Sequence, residues 1–259
     1  MSRPGSQISH FSELQSKSEV SDQSDIQDLI MSLGLLEGPD LLDPVINTIF
    51  KNKIAVSSSF GAESAILLHM VAQIDPSTPV LFIDTGKLFS ETLQYRDNLA
   101  AQLGLTNIQI IQPTKAEIDT QDPEGNLWHA NPDACCHFRK VQPFEEALSS
   151  YSAVITGRKR YQATSREKID VIEHDGNMFK INPAARWTVQ DIQDYMKQYN
   201  LPTHPLVDKG YFSIGCVPCT TPVKAGEDLR SGRWRGVDKV ECGIHFVNGR
   251  IVRPNQAVA

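Results

Sequence analysis

The sequence predicts an α/β fold: a parallel, twisted sheet with helices on both faces. Three observations carry this. The short apolar runs "KIAVSSSF", "PVLFIDTG" and "NIQIIQPT" have strand length and no polar alternation, as expected of strands covered on both sides. Segments with helical apolar spacing, "AESAILLHMVAQI" and "LFSETLQYRDNLAAQLG", separate them, so each connection reads as a crossover. Small residues and hydroxyls follow the first two strands, at the end where open α/β sheets bind ligands.

Taken in order, residues 1–23 are rich in Ser and Gln and are expected to be disordered. Residues 24–50 form a helical extension, in which "SDIQDLIMSLGLL" and "PDLLDPVINTIF" read as short amphipathic helices, each opened by an Asp or Ser cap. Residues 51–215 make the α/β domain. Its second crossover helix closes at Gly104, the residue type favoured just past a helix end. After "DACCHFRK" come a helix, "VQPFEEALSS", and a strand, "SAVITG". "IDVIEHDGNMFKINPA" reads as a hairpin turning at Asp175–Gly176–Asn177. "TVQDIQDYMKQYN" is a helix with Thr188 as its N-cap. From Pro202 onward regular patterning fades, and residues 216–259 read as a loop and a flexible tail.

Composition excludes several classes. No apolar run approaches the roughly 18 residues of a membrane span, and the first residues lack the apolar stretch of a secretory signal. A cytoplasmic protein is expected, among reduced thiols, where cysteines serve as metal ligands or catalysts more often than as disulfides. The formal charge of −6 resides wholly in residues 1–50, which hold Arg3 and Lys17 against eight acids. The remainder is neutral, with locally basic stretches at 134–170 and 216–259, each of seven bases and four acids. Focused positive charge in a neutral body suits a small anion better than nucleic acid.

Two strand ends carry candidate chemistry. In "SSSFGAES" the hydroxyls of Ser57, Ser58 and Ser59 and the bare backbone of Gly61 precede a helix N-terminus, where N–H groups and the helix dipole favour a phosphate. It is not a Walker A loop. In "DTGKLFSET", Asp84 and Thr85 stand ready for a nucleoside, and Gly86 lets the backbone come close.

Five cysteines fall in three places. Cys135 and Cys136 are adjacent, and Cys216 and Cys219 form a C-x-x-C pair. Four thiolates from two loops suit zinc or an iron–sulfur cluster. A pair with no spacer favours the larger target, 4Fe–4S, over structural zinc, with a redox disulfide as the third alternative. Cys242 is left over near the tail, preceded by Arg230, Arg233, Arg235 and Lys239. Neighbouring cations lower a thiol's pKa and populate the nucleophilic thiolate.

These segments together resemble the adenylyl-sulfate and phosphoadenylyl-sulfate reductase family. "ECGIH" is similar to its tail signature, and "CCHFRK" and "GCVPCT" to the paired cysteines of its iron–sulfur branch. "SSSFGAES" resembles its modified pyrophosphatase loop, "TGRKRYQATSR" an arginine-rich segment, and "GEDLRSGRW" a further one. The resemblance runs from about residue 50 to 245 and departs from the pattern at Lys159 and Ala163. It implies the adenine nucleotide alpha hydrolase-like (PP-loop) fold. It further implies thioredoxin- or glutaredoxin-dependent reduction of adenosine 5′-phosphosulfate (APS) to sulfite and AMP, in sulfate assimilation. Carried over, Cys135, Cys136, Cys216 and Cys219 hold a 4Fe–4S cluster, and Cys242 is the nucleophile. Lys140, Arg160, Arg166, Arg230 and Arg233 are the cations that would offset the substrate's charge.

The paired cysteines favour APS. Ser64, where an acid is expected of APS enzymes, leaves room for the 3′-phosphate of PAPS as the alternative substrate. An ATP pyrophosphatase or adenylyltransferase would share the sheet, but its S-G-G-x-D-S loop is absent. A non-catalytic iron–sulfur or zinc sensor would not need Cys242. Oligomeric state is open, with a homo-oligomer among the options.

Overall fold

The computed structural model describes residues 23–175, 178–224, 226–237 and 239, together with the backbone of 246–247 and 250–251. Two helices come first: α1 (Gln23–Leu33) and α2 (Gly38–Pro44), which runs into a widened turn at Val45–Ile49. Then β1 (Ile54–Ser57), α3 (Ser64–Ile74), β2 (Val80–Ile83), α4 (Ser90–Leu103) and β3 (Ile108–Ile111) alternate as the apolar runs predict. Gly104 closes α4 in the left-handed region at φ 68°, a conformation that costs glycine nothing.

Three short helices follow: α5 (Lys115–Gln121), α6 (Leu127–Ala130) and α7 (Pro132–Cys136). A widened turn at His137–Val141 leads from α7 into α8 (Gln142–Leu148). Next are β4 (Ala153–Thr156), β5 (Ile172–Asp175), β6 (Met178–Ile181) and α9 (Val189–Gln198). Thr188 caps α9 as expected, its hydroxyl accepting from Asp191 N in a reciprocal capping box.

The six strands are ordered β3-β2-β1-β4-β6-β5. All neighbours are parallel except β5–β6, which is the expected hairpin. Burial follows the pleat. Ile54, Val56, Val80, Phe82, Ala153, Ile155, Phe179 and Ile181 face the large core shared with α1–α4 and α9. Ala55, Leu81 and Val154 face the other way, under Phe144 and Leu148 of α8. The sheet is thus covered on both faces, which explains why its central strands are apolar throughout.

Two expectations change. The run "NIQIIQPT" forms an edge strand and not a buried one: Ile110 of β3 is 52% exposed. Nor does an Asp or Ser cap open α2, where Glu37 makes no side-chain cap bond and Pro39 lies in the first turn. No described helix is long and apolar enough to cross a membrane.

Candidate active site

The strand order reverses between β1 and β4, and the main cavity, about 390 Å³, opens at their carboxyl ends. One wall is the β1–α3 turn, Ser57–Ser64; a second is the segment after β4, Thr156–Lys159 with Tyr161, Gln162 and Arg166. Lys140, Arg230, Arg233 and Trp234 close the far side. Phe60 anchors the first turn from below. It is fully buried against Phe82, ring centroids 5.4 Å apart, and sits at φ 47°, unusual for a bulky residue. Its N–H donates to Ser58 Oγ at 3.2 Å, which stabilises the tight loop.

Residues that sequence reasoning did not single out for the site stand at its centre. Glu63 Oε2 accepts from Lys159 Nζ at 2.8 Å and from Gln162 Nε2 at 2.9 Å; Oε1 accepts from Tyr161 OH at 2.6 Å. Burial pushes the Glu63 carboxyl up, but the Lys159 charge and these hydrogen bonds outweigh it and hold the pKa below the ordinary value. Burial pulls the Lys159 ammonium down in turn, against the pull of Glu63. The signal was present in "GAES" and "GRKRYQ", but only the fold brings those segments together. Lys180 also reaches the cavity wall, buried and paired with Asp175 at 3.0 Å.

A second, smaller pocket of about 10 Å³ lies behind the cationic wall. Cys135, Cys136, Cys216 and Cys219 all line it, as do Thr85, Arg139 and Trp128. Lys140 and Trp234 line both cavities. The adjacent cysteines end α7, a helix set by the Asn131 cap, whose side chain accepts from Ala134 N. The C-x-x-C loop is held by backbone bonds from Val217 N to Lys87 O at 2.8 Å and from Trp234 N to Cys219 O at 3.0 Å. A Cβ at Gly215 would lie 2.5 Å from Arg233 Cζ, so a side chain there would displace the Arg233 guanidinium.

The thiols differ electrostatically. Burial pushes Cys135 up to about 11, with Cys136 adding to the rise. Cys216 is buried too, yet Lys140, the Thr85 hydroxyl and Arg233 together hold it below the ordinary thiol value. Burial raises Cys219, and the neighbouring Cys216 raises it further. Among the described residues no three His, Cys, Asp or Glu side chains converge on one ion position. Two other observations bear on a larger sulfur-ligated group. Arg139 Nε and Trp234 Nε1, both buried beside this pocket, find no acceptor among the described residues. Buried donors of that kind cost free energy unless an acceptor meets them, and the four-thiol donor set is soft.

Of the expected site residues, Ser57, Ser58, Ser59, Gly61, Lys140, Arg166, Arg230 and Arg233 come together on the main cavity. Four do not. Asp84 is tied up by Gly86 N at 2.9 Å and Gln112 Nε2 at 2.8 Å. Thr85 turns to the cysteines, its Oγ1 3.2 Å from Cys216 Sγ. Gly86, at φ 68°, has Arg139 behind it and no nucleotide cleft. Arg160 points away, donating to Ile169 O at 2.9 Å and pairing with Asp170 at 3.5 Å. For the three residues after β2 the physical reason is that this strand ends beneath the C-x-x-C loop, where Leu88 pairs with Cys216 in an isolated bridge. Cys242 lies outside the described residues, as does His245.

Fold and site together define a doubly wound α/β protein whose switch-point cleft is lined by Lys140, Arg166, Arg230 and Arg233. More narrowly, the chain belongs to the phosphoadenosine phosphosulfate reductase domain family, whose model matches residues 53–222. It is 52% identical over 213 residues to the adenosine 5′-phosphosulfate reductase of Mesorhizobium japonicum, covering 82% of this chain and 84% of that one. It is 41% identical over 201 residues to the phosphoadenosine 5′-phosphosulfate reductase of Gloeobacter violaceus, covering 76% and 83% respectively. Among solved structures, phosphoadenylyl-sulfate reductase from Candida auris, in a phosphate complex, aligns with a TM-score of 0.65 at 27% identity, covering 79% of this chain and 100% of that one. The resemblance read from the sequence motifs is thereby borne out.

Proposed function

We propose that this protein reduces adenosine 5′-phosphosulfate to sulfite and AMP in sulfate assimilation, with a thioredoxin-type dithiol as reductant. The observation that carries this is the shared wall: Lys140 and Trp234 line both the anion cleft and the four-cysteine pocket. An ATP-consuming enzyme with this sheet would be expected to carry the S-G-G-x-D-S loop, which is absent here.

The chemistry follows from charge. Ser57–Gly61 and the N-terminus of α3 receive the nucleotide phosphate. Arg166, Arg230, Arg233 and Lys140 offset the repulsion between an anionic substrate and an attacking thiolate, each contributing on the order of a few kcal/mol in a closed site. The Cys242 thiolate attacks the sulfate sulfur, the bond from that sulfur to the bridging phosphate oxygen breaks, and AMP departs as a stable anion without a strong acid. A thioredoxin thiolate then attacks the Cys242 sulfur and expels sulfite. The second thioredoxin thiol resolves the mixed disulfide and returns the Cys242 thiolate, so two thiols supply both electrons.

Cys135, Cys136, Cys216 and Cys219 would hold a 4Fe–4S cluster. When bound, it supplies a fixed anionic anchor for two loops and for the charge of Lys140. Arg139, Trp234 and Thr85, which line the same pocket, would supply hydrogen-bond donors to it.

One observation favours a second reading, use of the 3′-phosphorylated nucleotide. Ser64 lines the cleft and puts a hydroxyl where a carboxylate would repel a further phosphate. Sulfite release from APS and from PAPS, with thioredoxin and thioredoxin reductase, tests both. Turnover of APS with at least tenfold lower efficiency on PAPS is expected. Equal efficiency would establish dual use, and turnover of neither would end the reading.

A further inference from the structure

Arg166 is one of two cleft arginines supplied by the segment after β4; Arg158 pairs with Glu173, whereas Arg166 is linked through Gln162 to Glu63. Gln162 stands between them. Its Nε2 donates to Glu63 Oε2 at 2.9 Å, and its Oε1 accepts from Arg166 Nη1 at 2.6 Å and from Lys159 N at 3.2 Å. An amide's two ends are usually assigned and not observed. Here chemistry fixes them. A carboxylate only accepts and a guanidinium only donates, so the NH₂ must face Glu63 and the oxygen must face Arg166.

We propose that Glu63, acting through Gln162, is a positioning residue that aims Arg166 at the nucleotide in the cleft. Glu63 fixes the amide, and the amide oxygen holds one edge of the guanidinium. The same carboxylate is matched by the buried Lys159 ammonium at 2.8 Å, side chain 4% exposed, and by the Tyr161 hydroxyl. Lys159 and Glu63 together therefore add no net charge to the cleft. The relay crosses nearly a hundred residues of sequence, joining the β1–α3 turn to the β4 segment, so it also sets the width between two walls of the site. It rests on the cleft being the nucleotide site proposed above.

The test exploits a conflict of sign. Glu63→Gln removes a negative charge from the cleft, so electrostatics alone would tighten AMP binding. The relay requires the opposite, because a neutral amide at 63 is a weaker acceptor for Gln162 Nε2 and loosens the side chain that holds Arg166. Calorimetric titration with AMP is expected to show E63Q and Gln162→Leu each weakening affinity on the order of tenfold, the worth of one charge-assisted hydrogen bond. Neither should weaken it further in an Arg166→Ala background. Thermal unfolding confirms that each variant is folded. Tighter binding by E63Q, or an equal loss in the R166A background, would overturn the proposal.

A second measurement needs no ligand, and so separates failure of the relay from failure of the functional reading. In ¹⁵N-labelled protein, the Arg166 Nη groups should give resolved signals from hindered rotation, averaged into one by E63Q and by Q162L. Identical Arg166 signals in wild type and both variants would sink the relay whether or not AMP binds.

Discussion

Thr85 Oγ1 lies 3.2 Å from Cys216 Sγ, joining residues 131 positions apart at the base of the cysteine pocket. This one bond ties the carboxyl end of β2 to the C-x-x-C loop, and the backbone pairing of Leu88 with Cys216 runs beside it. Thr85→Val keeps the shape and removes the hydroxyl. It is expected to cost about 1 kcal/mol in unfolding free energy and to lower bound iron per chain in protein purified under argon. Unchanged stability and iron content would mean the bond is incidental.

Lys140 is the charged side chain common to both cavities, which it lines together with Trp234. Lys140→Met should lower kcat/KM for APS by about 10² to 10³ while iron content stays near wild type, since the four thiols remain. Lys140→Arg should recover only part of the loss, because a planar fork replaces a compact charge. Steady-state sulfite release reads both. Full activity in Lys140→Met would remove this residue from the reaction.

Arg139 and Asp122 form a buried ion pair at 2.8 Å, with side chains 5% and 1% exposed. Arg139 Nη1 also donates to Thr85 O at 2.7 Å, so the pair braces the turn that carries Thr85. Asp122→Ala strands a buried guanidinium and is expected to destabilise by roughly 3–5 kcal/mol. Chemical denaturation measures this, and a loss below about 1 kcal/mol would show the charge finding water or another partner.

His204 makes stability depend on pH. It is fully buried; its Nδ1 accepts from Leu206 N at 3.1 Å, so its Nε2 carries the proton and donates to Thr92 Oγ1 at 3.0 Å. Burial brings its pKa down from 6.5 to about 4, against a smaller opposing pull from Glu91. The folded state therefore prefers the neutral ring. Its contribution is complete above pH 6.5 and is lost as pH falls toward about 4, amounting to about 3 kcal/mol over that window. Unfolding free energy measured across it should show this slope in wild type and not in His204→Asn. A slope of equal size in the variant would assign the effect to other groups.

How much of this was legible beforehand follows from the range of the forces involved. β1, β2 and β4 are readable because a strand buried on both faces must be apolar at every position, and α9 because Thr188 and Asp191 cap it locally. β3 misleads: the three isoleucines of "IQII" read as a buried strand despite Gln109, but its place at the sheet edge is decided by strand order, which no local pattern records. The cysteine pairs, Lys140, Arg230 and Arg233 are readable as motifs. The turn of Thr85 away from the nucleotide cleft is not, since it depends on Cys216 arriving from 131 residues away. Glu63 and Gln162 escape for the same reason. Each is an ordinary polar residue until the fold sets them 2.9 Å apart.

The central claim is that sulfur leaves the nucleotide by way of Cys242. The most direct measurement is incubation of the purified protein with ³⁵S-labelled APS in the absence of any reductant, followed by peptide mapping. The account expects one label per chain, on the peptide containing Cys242, discharged as sulfite when thioredoxin is added. Label on any other cysteine, or sulfite release undiminished in Cys242→Ser, would contradict it.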